Sequence, residues 1–293
     1  MKKKVLSLCL VIALVAIAAI STTLAYFTDT DAAKNVFTVG GVKIDMHEEE
    51  RVLDADGNYT TDLKDFTQDQ IIMPGVYLDG QTKSDLNVND YTIKIRDNVE
   101  NYVDKIISVE NTGKSDAYVR TIIAIPAFDE ASAASAAATP NSPASNEPLH
   151  WNGVSNTDTT PNNGWIWGKD DANEWPDDAD MNMFQATIDG RLYDVYVVTN
   201  INVLAAGDST GPCFAGFYLD DDVDCEVLDD GSYNYFITIA GNKYDLGDIS
   251  SLEIYAFTQA TQAQGFDNAW VALDSAFGAV TAEKVVAWAA ELA

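Results

Sequence analysis

Much of this chain alternates apolar and polar residues with a period of two, which is the pattern of β-strands that bury one face. The stretch 91–96 alternates in this way and predicts a half-exposed strand. Residues 117–125 are mostly apolar at both parities, which predicts a central strand covered on both faces. Near the start, the parity of the apolar residues changes at Gly40 and Gly41, and this change predicts a bulge or a corner.

Turn residues separate these strand-like runs at short intervals. Asp-Gly pairs, which favour tight hairpin turns, stand at 56–57, 189–190 and 230–231, and a further turn is predicted at 111–114. Many short strands joined by such turns predict an all-β fold, a jelly-roll-like antiparallel sandwich, in preference to alternating strands and helices. We expect one such domain over residues 26–293.

Three segments depart from the strand pattern. Residues 131–148 are rich in Ala, Ser, Pro and Asn, and residues 151–183 are rich in Trp, Asn and Asp with little periodicity. Together they predict an irregular insertion at about 127–183. The C-terminal segment, about 267–293, is predicted to be helical and to pack on the sandwich or dock a partner, with Thr281 as a cap. The apolar stripe of its last helix contains Val285, Trp288, Ala289 and Leu292.

The first 25 residues have the three parts of a secretory signal peptide. Three lysines at 2–4 precede an apolar run at 8–20, and Thr23 and Ala25 suit the recognition pockets of a signal peptidase. We therefore predict cleavage between Ala25 and Tyr26, which leaves no stable membrane anchor. The alternative is a retained anchor, although the apolar run is short for a full membrane span.

Four collinear blocks reach across most of the chain: Leu24–Asp29 with Asn35–Gly40, Ile107–Gly113 with Ala117–Arg120, Val203–Thr210, and Leu252–Phe257 leading into Thr261–Phe266. Together they resemble the TasA/camelysin-type exported proteins of Gram-positive bacteria, and the first block is the most specific. The resemblance implies processing by a SipW-type signal peptidase and a secreted or cell-surface location. It also implies a structural role in fibres of the cell surface or biofilm matrix.

Cleavage after Ala25 frees a short, β-prone segment at the new N-terminus. A free strand can add to the exposed edge of a sheet in another molecule, where main-chain hydrogen bonds supply the affinity. The resemblance implies strand donation of this kind between copies of the chain, and to related matrix subunits. The alternative is that the segment pairs within its own sheet as an ordinary first strand. The apolar residues of the predicted donor strand are Tyr26, Phe27, Val36, Phe37 and Val39.

The chain carries 46 acidic and 17 basic residues, a formal net charge of -29 at pH 7. Such a charge repels nucleic acid and anionic lipid, and it favours divalent cations or simply a solvated acidic surface. Ca²⁺ prefers oxygen ligands from flexible loops and is the one cofactor for which the sequence offers a site. Residues 54–58 resemble the opening of a calcium loop, and a hairpin turn explains them equally well. The weak candidate ligands are Asp220, Asp221, Asp222 and Asp224.

Two cysteines remain once Cys9 leaves with the signal peptide. In an exported chain, Cys213 and Cys225 favour one disulfide across a short loop, which would contribute roughly 3 kcal/mol. The alternative is a pair of free thiols in a reducing setting.

The Trp-rich insertion offers a second hypothesis of function, a carbohydrate-binding surface adhesin. Aromatic rings beside amide and carboxylate groups can bind sugar rings, whereas the alternative is a small core that holds the insertion together. The weak candidate ligand residues are Trp151, Trp165, Trp167 and Trp175.

Catalysis has little support in the sequence. The histidines are His47 and His150, and neither lies in the His-Glu-x-x-His spacing that places two imidazoles on one zinc ion. Camelysin is described as a metalloprotease, so the resemblance implies that third hypothesis, although the usual ligand pattern is absent here. No Ser-His-Asp arrangement or phosphate-binding glycine loop is recognisable, and we predict that the chain is not an enzyme.

Overall fold

The described residues fold mainly into strands, and two helices lie near the C-terminal end. The structure, a computed structural model, describes residues 28–32, 35–36, 41–56, 58–68, 70, 72–78, 80, 97–128, 147–154, 163–169, 181–229, 233–247, 249 and 252–292. The strands are β1 (Thr28–Ala32), β2 (Asn35–Val36), β3 (Ile44–Leu53), β4 (Tyr59–Asp65), β5 (Val76–Tyr77), β6 (Val99–Glu100), β7 (Val103–Asn111), β8 (Ala117–Pro126), β9 (Leu149–Gly153), β10 (Trp165–Ile166), β11 (Met183–Ile188), β12 (Arg191–Leu204), β13 (Phe214–Leu219), β14 (Val223–Val227), β15 (Tyr233–Ile239), β16 (Asn242–Gly247) and β17 (Tyr255–Gln262). The helices are α1 (Ala269–Phe277) and α2 (Ala282–Leu292).

Two large antiparallel sheets form the body of the protein. The first sheet has the strand order β10-β12-β8-β17-β1-β2, and β11 pairs with β12 beside this path. The second sheet has the order β4-β3-β7-β13-β9. A three-stranded sheet, β14-β15-β16, and the short pair β5-β6 complete the described strands. Strands that follow one another in the chain, such as β7 and β8, therefore often lie in different sheets, as in a sandwich.

The main core lies between the first and second sheets. Val119 and Ile123 of β8 pack in it with Ile107 of β7 and Phe214 of β13, and all four are fully buried. Burying an apolar side chain of this size stabilises the fold by about 1.5–3 kcal/mol. This arrangement confirms the predicted all-β sandwich with a short C-terminal helical segment.

The C-terminal helices cover the outer face of the first sheet. Ile122 of β8 belongs to a second buried cluster with Val285 and Ala289 of α2, and this confirms the predicted apolar stripe. The Thr281 hydroxyl, just before α2, accepts a hydrogen bond from the Lys284 backbone N–H at 3.5 Å, which is the contact that the predicted cap makes. Within the described residues, neither helix combines the length and the apolar character that crossing a membrane requires.

Strand β8 confirms the central strand expected at 117–125, because all ten of its residues are buried. The Asp189-Gly190 turn between β11 and β12 is also confirmed, with the positive φ angles of 48° and 84° that such a hairpin requires. The turn at 111–114 has a different role. It joins β7 of the second sheet to β8 of the first, so it is a corner between layers.

Several predictions concern positions outside the described residues: the signal peptide at 1–25, the strand at 91–96, Gly40 and the turn at 230–231. The strands on either side of 230–231, β14 and β15, do pair with each other.

The expected irregular insertion at 127–183 needs correction. Within it, β9 pairs with β13 at an edge of the second sheet, and β10 pairs with β12 in the first. The residues of β9 and β10 are all buried. Strands of five and two residues are too short to show a clear two-residue period, so the sequence pattern missed them.

Candidate functional site

The N-terminal segment pairs with β17 of its own chain. Strand β1 runs antiparallel to β17 in a continuous register from Thr28 opposite Thr261 to Ala32 opposite Phe257. In the structure β1 therefore pairs within its own sheet, which is the alternative to donation that the sequence left open. Of the predicted donor residues, Val36 lies in β2, which pairs with β1. The other four, Tyr26, Phe27, Phe37 and Val39, lie outside the described residues.

Strand β17 is the receiving strand for this segment. It lies between β8 and β1, so withdrawal of β1 would turn one side of β17 into an open edge of the first sheet. Its inner six residues, 256–261, are all buried. An open edge of this kind presents unpaired N–H and C=O groups that another strand can satisfy. The sequence analysis did not identify β17 as an acceptor, although parts of it lie in the block from 252 to 266.

Side chains on both faces hold β17 in place. On one face, the Gln259 Oε1 atom accepts a hydrogen bond from Arg120 Nε at 2.8 Å. On the other, the Thr258 and Thr121 hydroxyls lie 3.2 Å apart and form a buried hydrogen bond. Side-chain hydrogen bonds that do not involve β1 therefore hold β17 to β8.

Three of the four predicted Ca²⁺ ligands lie together. Ligand atoms of Asp220, Asp221 and Asp222 lie within 4.8 Å of one another, and Asp224 is not part of the group. However, the Asp220 carboxylate is fully buried, and both of its oxygens already have partners. Oδ2 lies 2.7 Å from His150 Nε2, and Oδ1 accepts the Asp222 N–H at 2.8 Å. The group thus has an internal structural role, and a Ca²⁺ site here stays a prediction.

Three of the four predicted sugar-binding tryptophans are core residues. Trp151, Trp165 and Trp167 are 4%, 0% and 1% exposed, so none of them presents a ring face to solvent. Trp151 stacks on Trp167 with ring centroids 5.1 Å apart, and both rings contact Tyr196 of β12. We therefore correct the predicted sugar platform at these three residues to a buried aromatic cluster. Trp175 lies outside the described residues.

The predicted disulfide also needs correction, because both cysteines are free thiols. Cys213 is buried in the main core beside β13, whereas Cys225 is exposed on β14 of the three-stranded sheet. Burial raises the pKa of the Cys213 thiol to about 12. The disulfide was predicted only because the two cysteines are close in sequence. In the fold, Cys213 lies in the main core and Cys225 lies on the three-stranded sheet.

We expect native protein without its signal peptide to react with a thiol reagent at Cys225 alone. The thiolate is the nucleophile, and the buried Cys213 is neither ionised near neutral pH nor accessible. Alkylation followed by peptide mass spectrometry should show one modified cysteine in native protein and two after denaturation. Absence of labelling in native protein, with labelling of both only after reduction, would restore the disulfide.

The histidines lie on different strands, and each contacts a carboxylate. His47 Nε2 lies 3.2 Å from Glu110 Oε2, and His150 stacks on Tyr218 while it contacts Asp220. Among the described residues, the one group with metal-ligand geometry contains neither histidine. The described residues therefore give the metalloprotease hypothesis no zinc-ligand group that contains a histidine.

Comparisons with family models, curated proteins and solved structures found no match to this chain. The resemblance to TasA/camelysin-type proteins therefore stays a prediction from the sequence blocks. What the structure adds is that β1 and β2 lie at one end of the first sheet, with β2 as its outermost strand.

Proposed function

We propose that this chain is an exported structural subunit of the cell surface or biofilm matrix of a Gram-positive bacterium, and that it assembles into fibres by donating its N-terminal strand. The observation that carries the proposal is the pairing of β1 with β17 near the end of the first sheet. The sequence blocks that resemble TasA-type proteins and the predicted signal peptide support it.

Strand exchange keeps the main-chain hydrogen bonds of β1, so bonding does not oppose this use of β1. When β1 of one copy binds β17 of another, each main-chain hydrogen bond is replaced by an identical bond, so exchange changes the bonding energy little. Strand β1 has only five residues, so its exchange requires few main-chain hydrogen bonds to break. Exchange that runs from one copy to the next without closing produces an open filament. The acidic surface opposes such association, and Ca²⁺ or low pH should relieve the repulsion.

The expected result is that protein beginning at Tyr26 forms filaments, visible by negative-stain electron microscopy, and that a variant lacking residues 26–39 remains a folded monomer. Both proteins should be examined with and without Ca²⁺ and at low pH. Circular dichroism serves as the control that the shortened protein keeps its strand content. Filaments of the shortened protein would overturn strand donation.

A disulfide lock tests the exchange itself. Thr28 and Thr261 are register partners, and opposite residues in antiparallel strands have Cα atoms roughly 4.5–5.5 Å apart, which suits a disulfide. We expect Thr28→Cys/Thr261→Cys, made with Cys225→Ser, to stay monomeric when oxidised as a monomer and to polymerise after reduction. Oxidation of preformed fibres should instead give covalent ladders on non-reducing gels. Polymerisation of the locked monomer at the unlocked rate would contradict the proposal, and Cys225→Ser alone is the matched control.

A further inference from the structure

Strand β14 is an outer strand of the three-stranded sheet. Among the described strands only β15 pairs with it, in a continuous register from Val223 opposite Ile237 to Val227 opposite Tyr233. Four of its five residues are exposed. An open edge presents N–H and C=O groups that a further strand can satisfy. This sheet contains neither β1 nor β17, so its edge does not depend on the proposed fibre assembly.

The two faces of β14 differ in their chemistry. Val223, Cys225 and Val227 alternate with Asp224 and Glu226, and alternate residues of a strand share a face. Val223 is buried in the main core, whereas Cys225 and Val227 are exposed. The side chain of Val227 is 67% exposed, the highest value among the exposed large apolar residues in the described part of the chain. The apolar row of this edge therefore continues past the core into solvent.

The polar contacts of β14 lie at the surface. The Cys225 backbone N–H donates to the Asp224 carboxylate at 2.8 Å, a bond between neighbours in one strand. Both residues are exposed, so the carbonyl of an incoming strand can replace this bond. Glu226 contacts Lys243 at 2.7 Å, and exposed ion pairs of this kind contribute little stability. Neither contact closes the edge to another strand.

Charge decides which kind of strand fits this edge. If two copies paired along β14 about a two-fold axis through Cys225, Asp224 of each copy would lie opposite Glu226 of the other. An axis through Asp224 or through Glu226 would bring two identical carboxylates together. Like charges directly opposite each other destabilise a strand pair, and the net charge of -29 adds further repulsion between copies. The edge therefore disfavours a second copy and favours a basic strand.

We propose that β14 binds an extended segment of another protein in which lysine or arginine alternates with apolar residues. The segment adds to the sheet as a fourth strand, and its main chain forms hydrogen bonds with the open edge. Its apolar side chains lie beside Cys225 and Val227, on the face that continues the core. Its basic side chains lie beside Asp224 and Glu226, where opposite charges across the strand pair are stabilising.

A peptide that reacts with the Cys225 thiol tests this proposal. The probe is acetyl-Lys-Val-Lys-Cys-Lys-Val-Lys-amide with its thiol activated as a pyridyl disulfide, so that exchange with Cys225 releases a coloured pyridinethione. The matched control, acetyl-Val-Lys-Lys-Cys-Lys-Lys-Val-amide, has the same composition and the same neighbours of the cysteine, but it places lysines on the apolar face. With protein beginning at Tyr26 at constant ionic strength, we expect the alternating peptide to react about tenfold faster, with a rate that saturates.

Two variants make the test specific to β14. Val227→Asp adds a carboxylate to the apolar row and should reverse the preference, because the control peptide then places a lysine opposite it. Val203→Asp makes the same change at a valine of β12 that is 49% exposed, and it should leave the ratio of the two rates unchanged. Circular dichroism checks that both variants are folded.

Three results would overturn the proposal. The first is equal reaction rates of the two peptides with the unmodified protein. The second is a ratio that Val227→Asp does not change, or that Val203→Asp changes as much. The third is rapid formation of a dimer linked through Cys225 in the absence of peptide, which would identify a second copy of the chain as the occupant of this edge.

Discussion

Trp167→Ala should lower the free energy of unfolding by about 3–5 kcal/mol, the range for deleting a buried tryptophan side chain. Trp167 is 1% exposed, and its ring contacts Trp151 and Tyr196. Its indole N–H donates to the Val154 carbonyl at 3.2 Å. The substitution therefore opens a cavity between the sheets and leaves a buried carbonyl without its donor. Urea unfolding followed by circular dichroism measures the change.

Val227→Ala is the control for this prediction, because Val227 is 67% exposed on β14 and its truncation should change stability by less than about 0.5 kcal/mol. The comparison also distinguishes a core role for Trp167 from a sugar-binding role. A tryptophan that served as a sugar platform would be replaceable with little loss of stability, and binding alone would suffer. A stability loss for Trp167→Ala no larger than that of Val227→Ala would place the ring outside the core and revive the carbohydrate hypothesis.

The long regular elements were predictable because period and burial agree in them. Residues 117–125 are apolar at both parities, and they form the fully buried β8. The stripe of α2 repeats at helical spacing, and Val285 and Ala289 are buried as expected. The turn at 111–114 was located correctly, but its neighbours belong to different sheets. A local turn signal does not encode which layer the next strand joins.

The site was less predictable because it depends on contacts between distant parts of the chain. Nothing local in residues 255–262 indicates that they receive residues 28–32 across the whole length of the sequence. Tryptophan composition likewise cannot distinguish a binding face from a core, since aromatic rings beside polar groups occur in both. Arg120 carried a signal that the sequence analysis did not use, because a charged residue in a mostly apolar strand needs polar partners when it is buried.

Asp104→Ala should be about as damaging as the loss of Trp167, with an expected cost of about 3–5 kcal/mol in the free energy of unfolding. The Asp104 carboxylate accepts three hydrogen bonds from Arg51 of β3: from Nε at 2.6 Å, from Nη2 at 2.9 Å and from the backbone N–H at 3.1 Å. The side chains of Arg51 and Asp104 are only 7% and 3% exposed. Among the described residues, the carboxylate contact that the buried guanidinium would keep without Asp104 is with Asp97 at 3.1 Å.

Two further variants make this prediction specific. Glu226→Ala removes the exposed ion pair with Lys243, whose side chains are 47% and 44% exposed, and it should cost far less stability than Asp104→Ala because water screens an exposed pair. Arg51→Met/Asp104→Leu replaces both buried charges by apolar groups and should recover much of the stability that Asp104→Ala loses, because no unpaired charge remains. Urea unfolding of the unmodified protein and of these three variants measures the differences in stability. If Asp104→Ala is no less stable than Glu226→Ala, the Arg51 guanidinium is solvated in solution and the pair does not hold β3 to β7.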